Sequence, residues 1–401
     1  MLYILLSIFS LLAPVSSWAA IYCGVATVDS TPPIGTPSAG YEKRKGAPME
    51  GVLDPLLASA MVLDNGSQKI VFCSVDHLGM PYSLIEKVKE EVKRQVPALT
   101  DASFFIGSSH THSGGGAFCD IPGFGELLAG PYNEKVALGY VNSIVEAITA
   151  ASKKMEPALL GIGYSTVEGI THYRSSWPAT CTLENDLSVI KITRPDSTPL
   201  AVLFAFALHP TVLSADNRLF SADFVGATRT ELASLLASDI TCLYFNGAQA
   251  EIIPPLTSTC AGIGKTLASA VTTVWNQTKT SDTLDIAVKT HKYSFTPKTT
   301  PFGLTVPLDT YPTETSLITL NKEHQFVTIP GELSCLYNSQ LKAQTKNHLT
   351  ILGLVNDAHG YILLPEAWHA KTQESALSFG GPTYGQELTD TLLQLHASRN
   401  F

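Results

Sequence analysis

The residues with the most chemistry to offer stand where apolar runs stop. His110 and His112 close SFFIGSSHTH, His209 closes LAVLFAFALH, Glu332 closes FVTIPGE and Tyr361 closes LTILGLVNDAHGY. Each carries a nitrogen or oxygen able to ligate a metal or hold a proton. In an extended segment, residues two apart share a face, so His110 and His112 are expected to project together, as a metal site or a ligand-plus-proton-shuttle pair requires. The Ser113-Gly114-Gly115-Gly116 run that follows gives a backbone that a substrate can approach closely, making Gly114 a candidate substrate contact. Arg174 offers a guanidinium for an oxyanion or a polar head group, with an exposed salt bridge as the alternative. Singly, each residue has a plain reading: a histidine capping a strand, a Pro-Gly-Glu opening a helix, a rim tyrosine. Layered folds with parallel strands hold their sites in the crevice beyond the strand ends, where residues distant in sequence converge.

The elements that must position them follow from hydrophobic periodicity. Leu57 to Leu63 and Lys69 to Val75 form a hairpin through Asp64-Asn65-Gly66-Ser67. A helix over Tyr82 to Val96, a strand at Ser103 to Ile106 and a helix over Glu134 to Lys153 come next. A second hairpin joins Ser188–Thr193 to Leu200–Leu208; helices at Phe224–Leu236 and Gly262–Trp275 then bracket a strand at Thr241–Phe245. The last part predicts a hairpin within Leu317–Thr328, a helix from Glu332 to Ala343, a strand at Leu349–Val355 and a helix over Tyr384–His396. This order indicates an α/β, mixed α+β layered fold in one large domain with a mixed sheet and flanking helices.

Composition narrows the class. With 45% hydrophobic and 15% charged residues in 401, the chain has ample apolar material for a buried core. A formal charge of -9 without a basic patch argues against nucleic-acid binding, and Lys43-Arg44-Lys45 reads as a solvated loop. Residues 1–20, MLYILLSIFSLLAPVSSWAA, have the build of a signal peptide, so export to a periplasm or the outside is expected. Among the seven cysteines there is no C-x-x-C pair, which argues against a thiolate zinc site; several are expected to be buried and structural.

The strings Gly24-Val25-Ala26-Thr27-Val28-Asp29-Ser30-Thr31-Pro32-Pro33, Ala39-Gly40-Tyr41, Ser109-His110-Thr111-His112-Ser113-Gly114, Ser221-Ala222-Asp223, Pro330-Gly331-Glu332 and Asn356 to Tyr361 together resemble the neutral ceramidase family. These are zinc-dependent amidases that cleave N-acylsphingosine. The resemblance spans nearly the whole of residues 21–401 and implies a catalytic domain standing without the C-terminal β-sandwich of many members. It implies Zn2+ held by His110, His209, Glu332 and Tyr361, with His112 and Arg174 beside the scissile group and Tyr361 also near the oxyanion. It implies an amphipathic N-acyl lipid as substrate, attacked by zinc-activated water, with peripheral contact to a membrane surface. Two positions depart from the family: Ile253 stands where a serine handles substrate, and Gln373 where a tyrosine is expected. They leave open an amidase or esterase acting on another acylated compound, and a non-catalytic module that binds lipid or a surface partner.

Overall fold

The strand Leu57–Asp64 shows how the layers are built. Met61 and Leu63 join one apolar layer while Ala58, Ala60 and Val62 join another, the two-residue alternation that a strand imposes. Both faces of this strand are therefore covered. In the computed structural model, which describes residues 21–120, 124–174, 185–298, 309–345 and 348–398, the strand lies at the centre of a five-stranded sheet. Its order is Ser103–Ser108, Lys69–Val75, Leu57–Asp64, Tyr22–Asp29, Glu156–Pro157, parallel at the first pair and antiparallel elsewhere. An eight-stranded sheet runs Ile286–Phe295, Tyr311–Leu320, His324–Ile329, His348–Gly353, Thr241–Asn246, Pro199–Phe206, Asp186–Thr193, Leu159–Thr166. Within it, His324–Ile329 pairs in parallel with His348–Gly353, and Pro199–Phe206 with Thr241–Asn246.

The two sheets pack face to face. Met61, Phe72 and Phe105 of the smaller sheet meet Ile190, Leu203, Phe245, Phe326 and Leu352 of the larger one. On the outer face of the smaller sheet, Val62, Val71 and Ile106 pack under helices Tyr82–Gln95 and Glu134–Ser152. On the outer face of the larger sheet, Val189, Phe204 and Tyr244 lie under Phe224–Leu235 and Cys260–Gln277, and Val327 and Ile351 under Cys335–Gln344 and Tyr384–Ala397. The molecule is thus a helix–sheet–sheet–helix stack, the layered α/β arrangement expected from the order of elements.

The predicted hairpins and helices form within a few residues of their expected limits, with one instructive exception. Glu332 does not open a helix: Glu332–Leu333 pairs in parallel with Tyr361–Ile362, and the helix starts at Cys335 after the N-cap Ser334. Ile286–Phe295 escapes periodicity because it is an edge strand whose Thr290, His291 and Lys292 are exposed, the polar dressing that protects sheet edges. Cys23, Cys73 and Cys242 are buried thiols, as expected, and Cys335 is disulfide-bonded. Residues 1–20 and Cys181 lie outside the described residues. No helix among those described is long and apolar enough to cross a membrane.

Candidate metal centre and substrate cavity

His110, His209, Glu332 and Tyr361 follow four strands that end on the same side of the stack, and their side chains meet there. The His110 ring places Nδ1 2.6 Å from the Leu78 carbonyl, and the His209 ring places Nδ1 3.0 Å from the Ile252 carbonyl. A carbonyl oxygen only accepts, so in each neutral ring Nδ1 carries the hydrogen and Nε2 presents a lone pair. Burial, with Arg174 adding to it, holds His209 down to about 4, so it is neutral at pH 7. Both Nε2 atoms point at one carboxylate: Glu332 Oε2 lies 3.2 Å from His110 Nε2 and 2.9 Å from His209 Nε2. His209 Nε2 and Glu332 Oε2 are buried without a hydrogen-bond partner. Buried acceptors facing one another are costly unless a cation lies between them, and these donors are the types a borderline metal such as zinc prefers. The carbonyl locks on Nδ1 are the outer contacts that orient metal-ligating histidines.

The sequence reading placed His112 beside the metal rather than on it. Its Nε2 lies 3.3 Å from His110 Nε2, and the ligand atoms of His110, His112 and His209 all fall within 4.8 Å of one another, so all three imidazoles reach the same point. Their convergence does not come from an extended backbone. His110 adopts φ 71°, a left-handed conformation in which the alternation rule fails, and the chain turns back to bring both rings together. Burial, then the neighbouring imidazoles of His110 and His209, holds His112 well below its ordinary value. Arg174 is not an exposed salt bridge: its Nη2 donates to the Tyr361 hydroxyl at 2.7 Å and to the Ala250 carbonyl at 2.9 Å, and it pairs with buried Glu374 at 3.1 Å. Burial, with Glu332 adding to it, raises the Tyr361 phenol, which therefore keeps its proton at neutral pH in the structure as described.

Residues to which the sequence assigned no role at the site hold this arrangement in place. Asn246 donates to the carbonyls of Ser109 and Leu208 at 3.1 Å each and accepts from the Leu208 amide, tying together the strand ends that carry His110 and His209. Asn356 does the same for the outer strand of the small sheet, accepting from Ile106 N and donating to Phe104 O. Arg44 is no solvated-loop residue; it is buried and donates to the backbone of His112, Ser214 and Ala215. Glu251, two residues before Ile253, is buried and accepts from Cys335 N. Asparagine and arginine are common enough that composition and periodicity alone draw no attention to them.

His110, His112, Glu332 and Tyr361 form the polar floor of a cavity of about 440 Å³ whose walls include Leu78, Phe118, Leu128, Phe295, Tyr311 and Phe379. An apolar cleft with a few convergent polar groups is the usual form of a small-molecule site. Gly114 is not in its wall: the residue packs on Thr111 and the Asp76 carbonyl, so its lack of a side chain serves packing. Ile253 pairs with His172 in a two-residue strand and also lies outside the cavity wall. Gln373 begins the short helix Gln373–Ala376, and its side chain lies outside the described residues.

Comparison with known proteins bears on the family and the fold. Residues 22–241 match the model of the family described as neutral/alkaline non-lysosomal ceramidase, N-terminal. Neutral ceramidase B of Dictyostelium discoideum is 23% identical over 181 residues, which cover 41% of this chain and 24% of that protein; the match thus spans about a quarter of the relative's length. The crystal structure of neutral ceramidase from Pseudomonas aeruginosa superposes with a TM-score of 0.82 at 15% identity, over 95% of this chain and 74% of that one. A structure described as ceramidase complexed with C2 gives 0.80 at 14% identity, over 95% and 75%. These structural likenesses establish the shared fold, and the match over residues 22–241 shows that the chain belongs to the neutral/alkaline non-lysosomal ceramidase family.

Proposed function

We propose that this protein is an exported, zinc-dependent amide hydrolase that cleaves the N-acyl bond of ceramide-like lipids. One observation carries the reading: two imidazole Nε2 atoms with their Nδ1 positions locked by carbonyls converge on a buried carboxylate at the floor of an apolar cavity. The residues fit a zinc ion, held by His110, His209 and Glu332 with Tyr361 alongside. Zinc in such a site supplies Lewis acidity, lowering the pKa of water toward about 7 and polarising a carbonyl. Arg174 keeps the Tyr361 hydroxyl at 2.7 Å, and the pair directs donors at the position where an acyl oxygen gains charge. Neutral His112 at the cavity floor takes a proton from water and returns it to the leaving nitrogen, the role of a general acid and base. The apolar walls exclude water and receive hydrocarbon chains, which supports an amphipathic lipid substrate and a membrane surface as its source. The build of residues 1–20 supports export.

The test combines metal analysis with substrate choice. The purified protein is expected to carry about one zinc per chain by inductively coupled plasma mass spectrometry, and His110→Ala/His209→Ala is expected to carry none. Ceramides of several acyl lengths, simple N-acyl amides and acyl esters are assayed in parallel. Hydrolysis restricted to the non-ceramide members would transfer the site to another acylated substrate, the outcome that Ile253 and Gln373 motivate. A folded protein that takes up no metal from zinc-replete buffer would overturn the hydrolase reading and leave a lipid-binding module. His112→Ala is expected to lower turnover by about 10²- to 10⁴-fold with zinc retained; loss of zinc would make His112 a ligand.

A further inference from the structure

Arg44 is a buried cation with no carboxylate partner among the described residues, although buried charges are normally paired. Its guanidinium is instead spent on oxygen atoms of one neighbourhood. It donates to the His112 carbonyl, to Ser38 Oγ at 2.8 Å, to the Ser214 and Ala215 carbonyls at 3.2 Å each, and reaches Ser113 Oγ at 3.5 Å. Such a cluster of acceptors is expensive to assemble, and its centre is the backbone of one residue of the site. Further contacts of His112 come from the same stretch and the loop opposite. Ser38 Oγ also donates to the His112 carbonyl, while the His112 amide donates to the Pro210 carbonyl at 3.2 Å. The Tyr41 ring meets the imidazole edge-on with centroids 4.8 Å apart, and the Tyr41 hydroxyl donates to the Leu213 carbonyl. At Gly40, φ is +102° and a Cβ would lie 2.7 Å from the His112 ring. Gly40 and Tyr41 thus meet the imidazole, while Ser38 and Arg44 hold the carbonyl of the same residue.

We propose that Arg44 is a positioning residue for His112: it fixes the backbone from which the imidazole reaches the cavity floor, without touching substrate or metal itself. The proposal rests on His112 acting as the acid and base of the reaction proposed above. Because the guanidinium serves several acceptors from a rigid planar fork, lysine replaces it only in part.

The test uses the full-length, zinc-loaded protein with Arg44→Gln and Arg44→Lys. Arg44→Gln is expected to lower kcat on the best amide by about 10- to 100-fold, with KM within twofold and about one zinc per chain, as about 1 Å of misplacement at a reacting group implies. Arg44→Lys is expected to recover part of that loss. A second measurement does not depend on activity. In protein labelled with 13C at histidine Cε1, the His112 resonance, assigned with His112→Gln, is expected to shift or broaden in Arg44→Gln while those of His110 and His209 stay in place. If Arg44→Gln fails to fold, Arg44→Lys and Ser38→Ala carry the same resonance comparison. An unchanged His112 resonance in folded variants, or kcat equal to that of the parent, overturns the positioning role. Absence of amidase activity in the parent, with the resonance still responding, refutes the proposed reaction and leaves the positioning role standing.

Discussion

Two glycines with nearly the same φ make a controlled experiment on the His112 pocket. Gly40 has φ +102° and Gly35 has φ +97°, so an alanine at either position suffers a similar left-handed strain, about 1–3 kcal/mol. Their surroundings differ. A Cβ at Gly35 has nothing within 4 Å, whereas one at Gly40 lies 2.7 Å from Cγ and Nδ1 of His112 and 3.0 Å from Leu78 Cδ1. The imidazole has little room to retreat, since His110 Nε2 is 3.3 Å from its own Nε2 and Tyr41 packs against its edge. Forced overlap of this kind costs about a further 1–3 kcal/mol, or is relieved by swinging the ring out of place. Gly35→Ala is therefore expected to shift the urea midpoint modestly and leave turnover unchanged. Gly40→Ala is expected either to lose about 1–3 kcal/mol more, or to keep that stability and lose about 10²-fold in kcat through displacement of His112. Equilibrium unfolding in urea, kcat on the amide substrate and zinc content, measured on both variants, separate the cases. If Gly40→Ala matches Gly35→Ala in both stability and turnover, the close fit of Gly40 to the imidazole has no energetic consequence and the reasoning fails.

Two further predictions concern groups that support the site from a distance. Asp76→Ala removes the carboxylate that pairs with the Arg229 guanidinium and accepts from Leu57 N at 2.8 Å, leaving a buried cation uncompensated; a loss of about 3–5 kcal/mol in urea unfolding is expected, and one below about 1 kcal/mol would refute it. Glu251 is raised from 4.5 to about 7 by burial, so between those values the folded protein binds the proton more tightly than the unfolded chain. Its contribution to stability is full below the unfolded value and is lost as pH rises through about 7, a fall of roughly 3 kcal/mol from pH 4 to pH 8. Glu251→Gln is expected to remove that component, so subtracting its pH–stability curve from that of the parent leaves the slope; identical curves would show that Glu251 does not titrate in this window.

Much of the architecture was legible in the sequence because strand and helix periods are local. The Asp64-Asn65-Gly66-Ser67 turn and the buried stripe of Glu134–Ser152 need only near neighbours to declare themselves, and polar residues closing apolar runs marked His110, His209, Glu332 and Tyr361. The left-handed turn at His110 and the strand at Glu332 were not legible. Both depend on partners far along the chain, the Leu78 carbonyl for one and Tyr361–Ile362 for the other. Nor does a sequence mark which of several hundred carbonyls will meet an imidazole, since every residue carries one; the Ile252 oxygen that selects the His209 tautomer is chosen by packing alone. Arg44 makes the same point for charge. Its type, between two lysines, predicts solvent, and only the arrival of Ser214 and Ala215, some 170 residues away, turns it inward. The sequence by itself determined the layered fold and the chemical types gathered at its strand ends. Tertiary structure decided their protonation, their orientation and the cavity above them, because those properties belong to contacts between segments that are adjacent only once the chain has folded.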